Sequence, residues 1–189
     1  MHSIDPDSIE AGSSGASRAR PARLTLVLGG ARSGKSRHAE ALLIARPGPW
    51  LYLAPAQAFD DEMRARIADH RARREEGWTT REAPLDLAGA IAAAEQPALI
   101  DCLTLWLTNV ILAERDVAAE VDRLVAACAA ARIPLVLVAN EVGSGIVPEN
   151  ALARRFRDEA GLLNQRLAAV ADRVVLVVAG LPLDVKAPA

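Results

Sequence analysis

Residues 24 to 36 read Leu24-Thr25-Leu26-Val27-Leu28-Gly29-Gly30-Ala31-Arg32-Ser33-Gly34-Lys35-Ser36, an apolar run followed by a complete G-x-x-x-x-G-K-S loop. The run reads as a strand and Ser36 to Ala45 as a helix. Strand, glycine loop, helix is the context in which this motif binds nucleoside triphosphates. Glycines let backbone N–H groups approach phosphate oxygens, and a helix N-terminus adds a dipole suited to an anion. Gly29, Gly30, Ala31, Arg32, Ser33 and Gly34 thus form a nucleotide-binding loop. Lys35 is placed to reach the β- and γ-phosphates as a catalytic group, and the Ser36 hydroxyl to ligate Mg²⁺. The bland reading is a glycine turn and an ordinary surface lysine. With Gly at about 7% of average usage, the four fixed positions should coincide by chance in fewer than about one such chain in a hundred.

Outward from this loop the chain alternates. Short, nearly continuous apolar runs recur at Trp50 to Ala54, Ala98 to Ile100, Leu135 to Ala139 and Val174 to Ala179, as strands of a sheet covered on both faces must. Helical stripes lie between them: Val117, Val121, Leu124, Val125 and Cys128, then Leu152, Phe156, Ala160, Leu163 and Leu167. The expected fold is α/β, a mostly parallel sheet flanked by helices, of the P-loop NTPase type. Residues 1–23, rich in Ser, Gly, Ala, Asp and Arg, are expected to form a flexible N-terminal extension, and 24–189 a single nucleotide-binding catalytic domain.

The global numbers suit a small enzyme. A chain of 189 residues is long enough for one real core and short for two. A formal net charge of -2 offers no general attraction to nucleic acid or to an anionic membrane. Cys102 and Cys128 make neither a disulfide framework nor a metal pattern, and fit apolar surroundings in a reducing compartment. No apolar run approaches a bilayer span, and the N-terminus lacks a signal-peptide core, so a cytoplasmic location is expected.

Ligands of such sheets bind at the carboxyl ends of the strands. The Ala98-Leu99-Ile100 run ends in Asp101, where an acidic residue can hold Mg²⁺ directly or through water; Asp is also a common helix N-cap. After the Leu135 run comes Asn140-Glu141-Val142-Gly143-Ser144-Gly145. Glu141 stands where a guanine-reading Asn-Lys-x-Asp element needs Lys, which disfavours a switch GTPase. Asp60-Asp61-Glu62 reads as a helix start. Beyond it Arg66, His70, Arg73 and Arg74 share one helical face. That face is either merely solvated or a phosphate-binding array in which nearby positive charge keeps His70 neutral and nucleophilic. His38 has no comparable neighbours and reads as packing or surface. The stretch Leu103 to Leu112 is apolar nearly all round, so it is either deeply buried or covered by a second subunit.

Taken together the residues resemble the bifunctional adenosylcobinamide kinase/adenosylcobinamide-phosphate guanylyltransferases of cobalamin biosynthesis. The likeness rests on Gly29 to Arg37, on Asp61-Glu62-Met63 with Arg66-Ile67-Ala68-Asp69-His70, and on Trp78-Thr79-Thr80-Arg81-Glu82. Asp101-Cys102-Leu103-Thr104, Thr108-Asn109, the stretch Asn140 to Glu149, and Arg154 to Gln165 extend it, so that it spans Leu24 to Lys186.

The resemblance implies that His70 is the covalent GMP carrier. It implies further GTP contacts from Ala54, Pro55 and Ala56 and from Arg71, Ala72, Arg73 and Arg74, with Glu82 and Asp101 as acidic nucleotide-site positions and Ser36 and Asp101 toward the metal. Pro55 departs from the hydroxyl residue expected there and removes an N–H. The implied substrates are ATP, GTP, adenosylcobinamide and its phosphate, with Mg²⁺ accompanying the nucleotide. The implied assembly is a homo-oligomer, a trimer, with no nucleic acid or membrane partner. Without the resemblance two other readings stay open: a P-loop small-molecule kinase with His70 on its surface, or a non-catalytic nucleotide-binding module.

Overall fold

The computed structural model describes residues 22–56 and 76–187. In chain order these form β1 (Leu24–Gly29), α1 (Lys35–Ile44), β2 (Trp50–Ala54), β3 (Trp78–Glu82), α2 (Leu87–Ala92) and β4 (Ala98–Asp101). There follow α3 (Leu103–Leu112), α4 (Val117–Ala130), β5 (Leu135–Asn140), α5 (Ala151–Val170), β6 (Arg173–Val178) and β7 (Leu181–Lys186). The strands make one seven-stranded sheet in the order β3-β2-β4-β5-β1-β6-β7, all parallel except β7, which pairs antiparallel with β6. The expected α/β class is what the chain adopts.

Strand alternation sorts the core onto two faces. Leu24 and Leu26, Leu51 and Leu53, Ala98 and Ile100, and Leu135, Leu137 and Ala139 pack with Leu87, Leu103, Trp106, Leu124 and Leu163, so this face is covered by α2 to α5. The opposite residues, Val27, Tyr52, Leu99, Val136 and Val138, pack with Ala39 and Leu43 of α1. Both faces are covered, which is why these strands read as unbroken apolar runs. α2, α4 and α5 start where short polar side chains satisfy free N–H groups. Asp116 accepts from Ala119 N at 3.1 Å ahead of α4, and Asn150 from Leu152 N and Ala153 N at 2.8 and 3.1 Å ahead of α5.

Of the two readings of Leu103 to Leu112, burial within the chain accounts for its character. Leu103, Leu107 and Val110 are fully buried and Trp106 is 1% exposed, while Leu112 alone is strongly exposed among its large apolar residues. Arg23 belongs to the folded body: its backbone N–H and that of Leu24 both donate to Asp172 Oδ2 at 2.8 Å, and its guanidinium caps the carbonyls of Cys128, Ala129 and Ala131. Burial pushes the Cys102 thiol up, and that of Cys128 up to about 12, as expected of space-filling cysteines.

Three elements have no counterpart in the reading of the sequence. β3 is an edge strand, exposed from Thr79 to Glu82, so no apolar run announces it. β7 is exposed along its whole length. α2 is a six-residue helix whose only deeply buried side chains are Leu87 and Ile91.

Candidate active site

The loop from Gly30 to Gly34 leaves the carboxyl end of β1 and turns directly into α1. Gly34 holds φ +94°, a conformation that costs an L side chain strain, and a Cβ there would also press on Gly180 Cα at 3.3 Å. At Gly29 a Cβ would lie 2.5 Å from Ser33 Oγ and 2.7 Å from the Val177 carbonyl, so the strand end closes only around glycine. Lys35 is 9% exposed and its Nζ donates to the Gly30 carbonyl at 3.1 Å, folding the ammonium back over its own loop. Two of its three donors stay available to phosphate oxygens. The β6–β7 turn buttresses the loop from behind, Gly180 N donating to Ser33 O at 2.9 Å.

The other site residues lie at the carboxyl ends of neighbouring strands. Asp101 is the last residue of β4, while the cap position of α3 falls to Cys102, so the N-cap reading of Asp101 does not hold. Tyr52 Oη donates to the Asp101 carbonyl at 3.2 Å. Ala54 ends β2 in register with Glu82 at the end of β3, and Ala83 N donates to Ala54 O at 3.0 Å. Pro55 is buried and Ala56 partly so. At about 4.8 Å per strand gap, Glu82 stands roughly 19 Å across the sheet from Gly29. Glu82 and the loop therefore cannot contact one phosphate together. His70, Arg71, Ala72, Arg73 and Arg74, with Arg66, lie outside the described residues, in the connection that leaves this same carboxyl edge at Ala56.

The contacts by which two residues, Asn109 and Glu141, organise this edge escaped the reading of the sequence. Asn109, 6% exposed, donates from Nδ2 to the carbonyls of Pro55 at 2.8 Å and Pro84 at 3.0 Å, tying the segments after β2 and β3 together through the core. Its signal was an amide inside an otherwise apolar helix, a placement that requires partners. Glu141 turns its carboxylate onto its own loop. It accepts from Ser144 Oγ at 2.7 Å, Gly143 N at 2.7 Å and Ser144 N at 3.3 Å, and these bonds, the Ser144 hydroxyl first, hold its carboxyl below the usual range.

Among the described residues no cluster of three or more His, Cys, Asp or Glu could hold a metal by itself. Ser36, in the first turn of α1, and Asp101, on the α1 side of the sheet, are the two residues here whose oxygens could contribute to such a site. That set suits Mg²⁺, which keeps waters and takes its remaining ligands from substrate phosphates.

The family model "Cobinamide kinase / cobinamide phosphate guanyltransferase" matches residues 25–185. The chain belongs to this family. Its reactions are accordingly phosphoryl transfer to cobinamide and guanylyl transfer to cobinamide phosphate, carried out on bound nucleotide. The chain is 48% identical over 181 residues to the bifunctional adenosylcobalamin biosynthesis protein CobU of Salmonella typhimurium, covering 86% of this chain and 99% of that one. It is 47% identical over 166 residues to the bifunctional adenosylcobalamin biosynthesis protein CobP of Pseudomonas aeruginosa, covering 85% and 96%. Among solved structures it is similar to the flagellar accessory protein FlaH of Methanocaldococcus jannaschii, with TM-score 0.48 and 10% identity, covering 90% of this chain and 80% of that one. No helix among the described residues is long and apolar enough to cross a membrane.

Proposed function

We propose that this member of the family uses one nucleotide site for two successive transfers. In the first, the terminal phosphoryl group of ATP or GTP passes to the aminopropanol hydroxyl of adenosylcobinamide. Lys35 and the loop N–H groups stabilise the charge that develops on the phosphoryl oxygens. Ser36 and Asp101 would hold Mg²⁺, which supplies further charge neutralisation when bound with the nucleotide. In the second, neutral His70 attacks the α-phosphorus of GTP and expels pyrophosphate, leaving GMP on the imidazole as a phosphoramidate. The phosphate of adenosylcobinamide phosphate then displaces His70 and yields adenosylcobinamide-GDP. Arg71, Ala72, Arg73 and Arg74, with Ala54, Pro55, Ala56 and Glu82, complete the GTP site in this reading.

The observation that carries the proposal is the closed phosphate loop over a buried Lys35 at the carboxyl edge of the sheet. The test is incubation with GTP radiolabelled at the α-phosphorus. Wild type should acquire label that is stable in alkali and lost in acid. His70→Ala should acquire none and lose the transferase reaction while keeping kinase activity. Persistent label on His70→Ala would place the nucleophile elsewhere.

The same proposal includes a cytoplasmic, homo-oligomeric enzyme, a trimer, with residues 24–189 as one catalytic domain and no nucleic-acid partner. The apolar character of α3 no longer argues for assembly, since its own chain buries it. Support comes instead from exposed Val178, Leu181, Leu183 and Val185 around the β6–β7 hairpin. Light scattering at micromolar concentration that returned only monomer would remove this part.

A further inference from the structure

β5 lies between β1, which carries the phosphate loop, and β4, which ends in Asp101. The ladder sets Asn140, its last residue, level with Gly29, while Asp101 is level with Val138. Two residues of strand rise, roughly 6.6 Å, therefore carry Asn140 past Asp101 to the height of the loop. Alternation settles which way it faces. Val136 and Val138 pack with Ala39 and Leu43 of α1, and Asn140 has their parity. Asp101 has the parity of Leu99, which belongs to the same cluster. Both polar residues thus face the side on which the loop and the start of α1 lie.

The backbone of Asn140 is held from three directions. Its N–H donates to Thr104 Oγ1 at 2.8 Å, its carbonyl accepts from Asn164 Nδ2 at 3.3 Å, and the next N–H, of Glu141, donates to the Gly29 carbonyl at 3.1 Å. One side chain from α3 and one from α5 are committed to positioning this single residue. Yet its own Oδ1 is buried with no hydrogen-bond partner among the described residues. Buried amide oxygens in folded proteins nearly always have a partner. A residue pinned this firmly, with an unsatisfied amide oxygen beside a phosphate loop, is built to meet a ligand.

We propose that Asn140 is a further catalytic residue of the phosphoryl-transfer step, its amide bridging the acceptor hydroxyl and the terminal phosphoryl group. This rests on the two-transfer reading above. An amide offers an oxygen that accepts from the hydroxyl and an NH₂ that donates to a phosphoryl oxygen. One side chain can then hold the nucleophilic oxygen against the γ-phosphorus at near-attack distance. The hydroxyl oxygen forms the new bond to phosphorus. The bond from the γ-phosphorus to the β–γ bridging oxygen breaks, its electron pair leaving with the nucleoside diphosphate. The hydroxyl proton passes to a phosphoryl oxygen and on to water. Asn140 orients both partners and takes no proton.

The test separates the two half-reactions in the full-length protein. Asn140→Ala should lower kinase kcat on the order of 10²-fold, the loss expected for one charge-stabilising contact made in the transition state. KM for nucleotide and the rate of GMP–enzyme formation from α-labelled GTP should stay within about threefold, because the α-phosphorus is a different reacting centre. Asn140→Asp, which keeps the size but turns negative charge toward phosphate, should be at least as slow as Asn140→Ala, and it provides the reading if the alanine variant fails to fold. Thr104→Val, which removes the acceptor of the Asn140 N–H together with a contact to the Cys102 thiol but leaves the Asn140 amide in place, should cost less kinase kcat than Asn140→Ala. Kinase kcat within threefold of wild type in a folded Asn140 variant would overturn the proposal. So would an equal loss in both half-reactions, which marks a merely structural residue, or a rise in KM alone, which marks a contact that binds ground state and transition state equally. Absence of any adduct on the wild-type protein would instead defeat the His70 reading and leave the kinase comparison standing.

Discussion

The centre of the sheet and its two edges are built on opposite terms. In β1, β4 and β5 nearly every residue is buried, and apolar side chains fill both faces. A one-residue slip there would exchange the two cores at once, so register is tightly specified. The ends of these strands, Gly29, Asp101 and Asn140, inherit that precision. The edge strands β3 and β7 are almost wholly exposed. β7 is held by a turn, by its ladder with β6, and by the pairing of Arg173 Nε and Nη2 with Asp184 Oδ1 and Oδ2 at 2.6 and 3.0 Å. The phosphate loop is mounted where the ladder is most constrained, while Glu82, a candidate site residue, sits on an exposed edge strand of the kind expected to open first.

Substitutions should expose this contrast, the largest effects falling on the central layers. Trp106 is buried against the sheet and donates from Nε1 to Leu85 O at 3.0 Å, so Trp106→Ala should cost about 3–5 kcal/mol in denaturant unfolding. A loss below about 1 kcal/mol would mean that this core can collapse around the gap. Lys35→Ala should leave the fold intact and cut phosphoryl transfer on the order of 10²–10³-fold, about 2.7–4 kcal/mol of transition-state stabilisation. Near-normal turnover by steady-state assay would remove the loop from the mechanism.

Arg173→Ala, at the β7 edge, should cost no more than about 1 kcal/mol, since the pair it breaks is partly exposed. Its sharper readout is His38 on α1. Burial, then the charge of Arg173, hold the imidazole below its ordinary value, with Asp184 opposing. With Arg173 gone, His38 should titrate at higher pH, and an NMR titration that moved it lower would contradict the arrangement. The linkage has a definite sign. A histidine with depressed folded pKa withholds nothing above its ordinary value of about 6.5, and stability falls as pH drops through the window below it. The variant, with the smaller depression, should lose less to acid than wild type across that window.

The sequence alone determined the fold class, because apolar runs of strand length separated by helical stripes admit few architectures. It also determined the phosphate loop, whose glycine spacing is a local pattern, although the left-handed φ of Gly34 and the crowding of Gly29 by Ser33 and the Val177 carbonyl were visible only in the fold. Five of the seven strands were legible because both their faces are buried. β3 was not, since an edge strand needs no apolar run. β7 left only an alternation of Leu181, Leu183 and Val185 with Pro182, Asp184 and Lys186, easily missed in a strand that buries nothing. Only the tertiary structure decided that α3 is covered by its own chain, that Asp101 ends a strand and caps no helix, and that Asn109 ties Pro55 to Pro84. It alone aligned Asn140 with Gly29 across the ladder. The physical reason is common to these cases. Hydrophobic period reports which face of an element is buried, but the partner that a polar side chain meets depends on strand order and register, which bring together residues scores of positions apart.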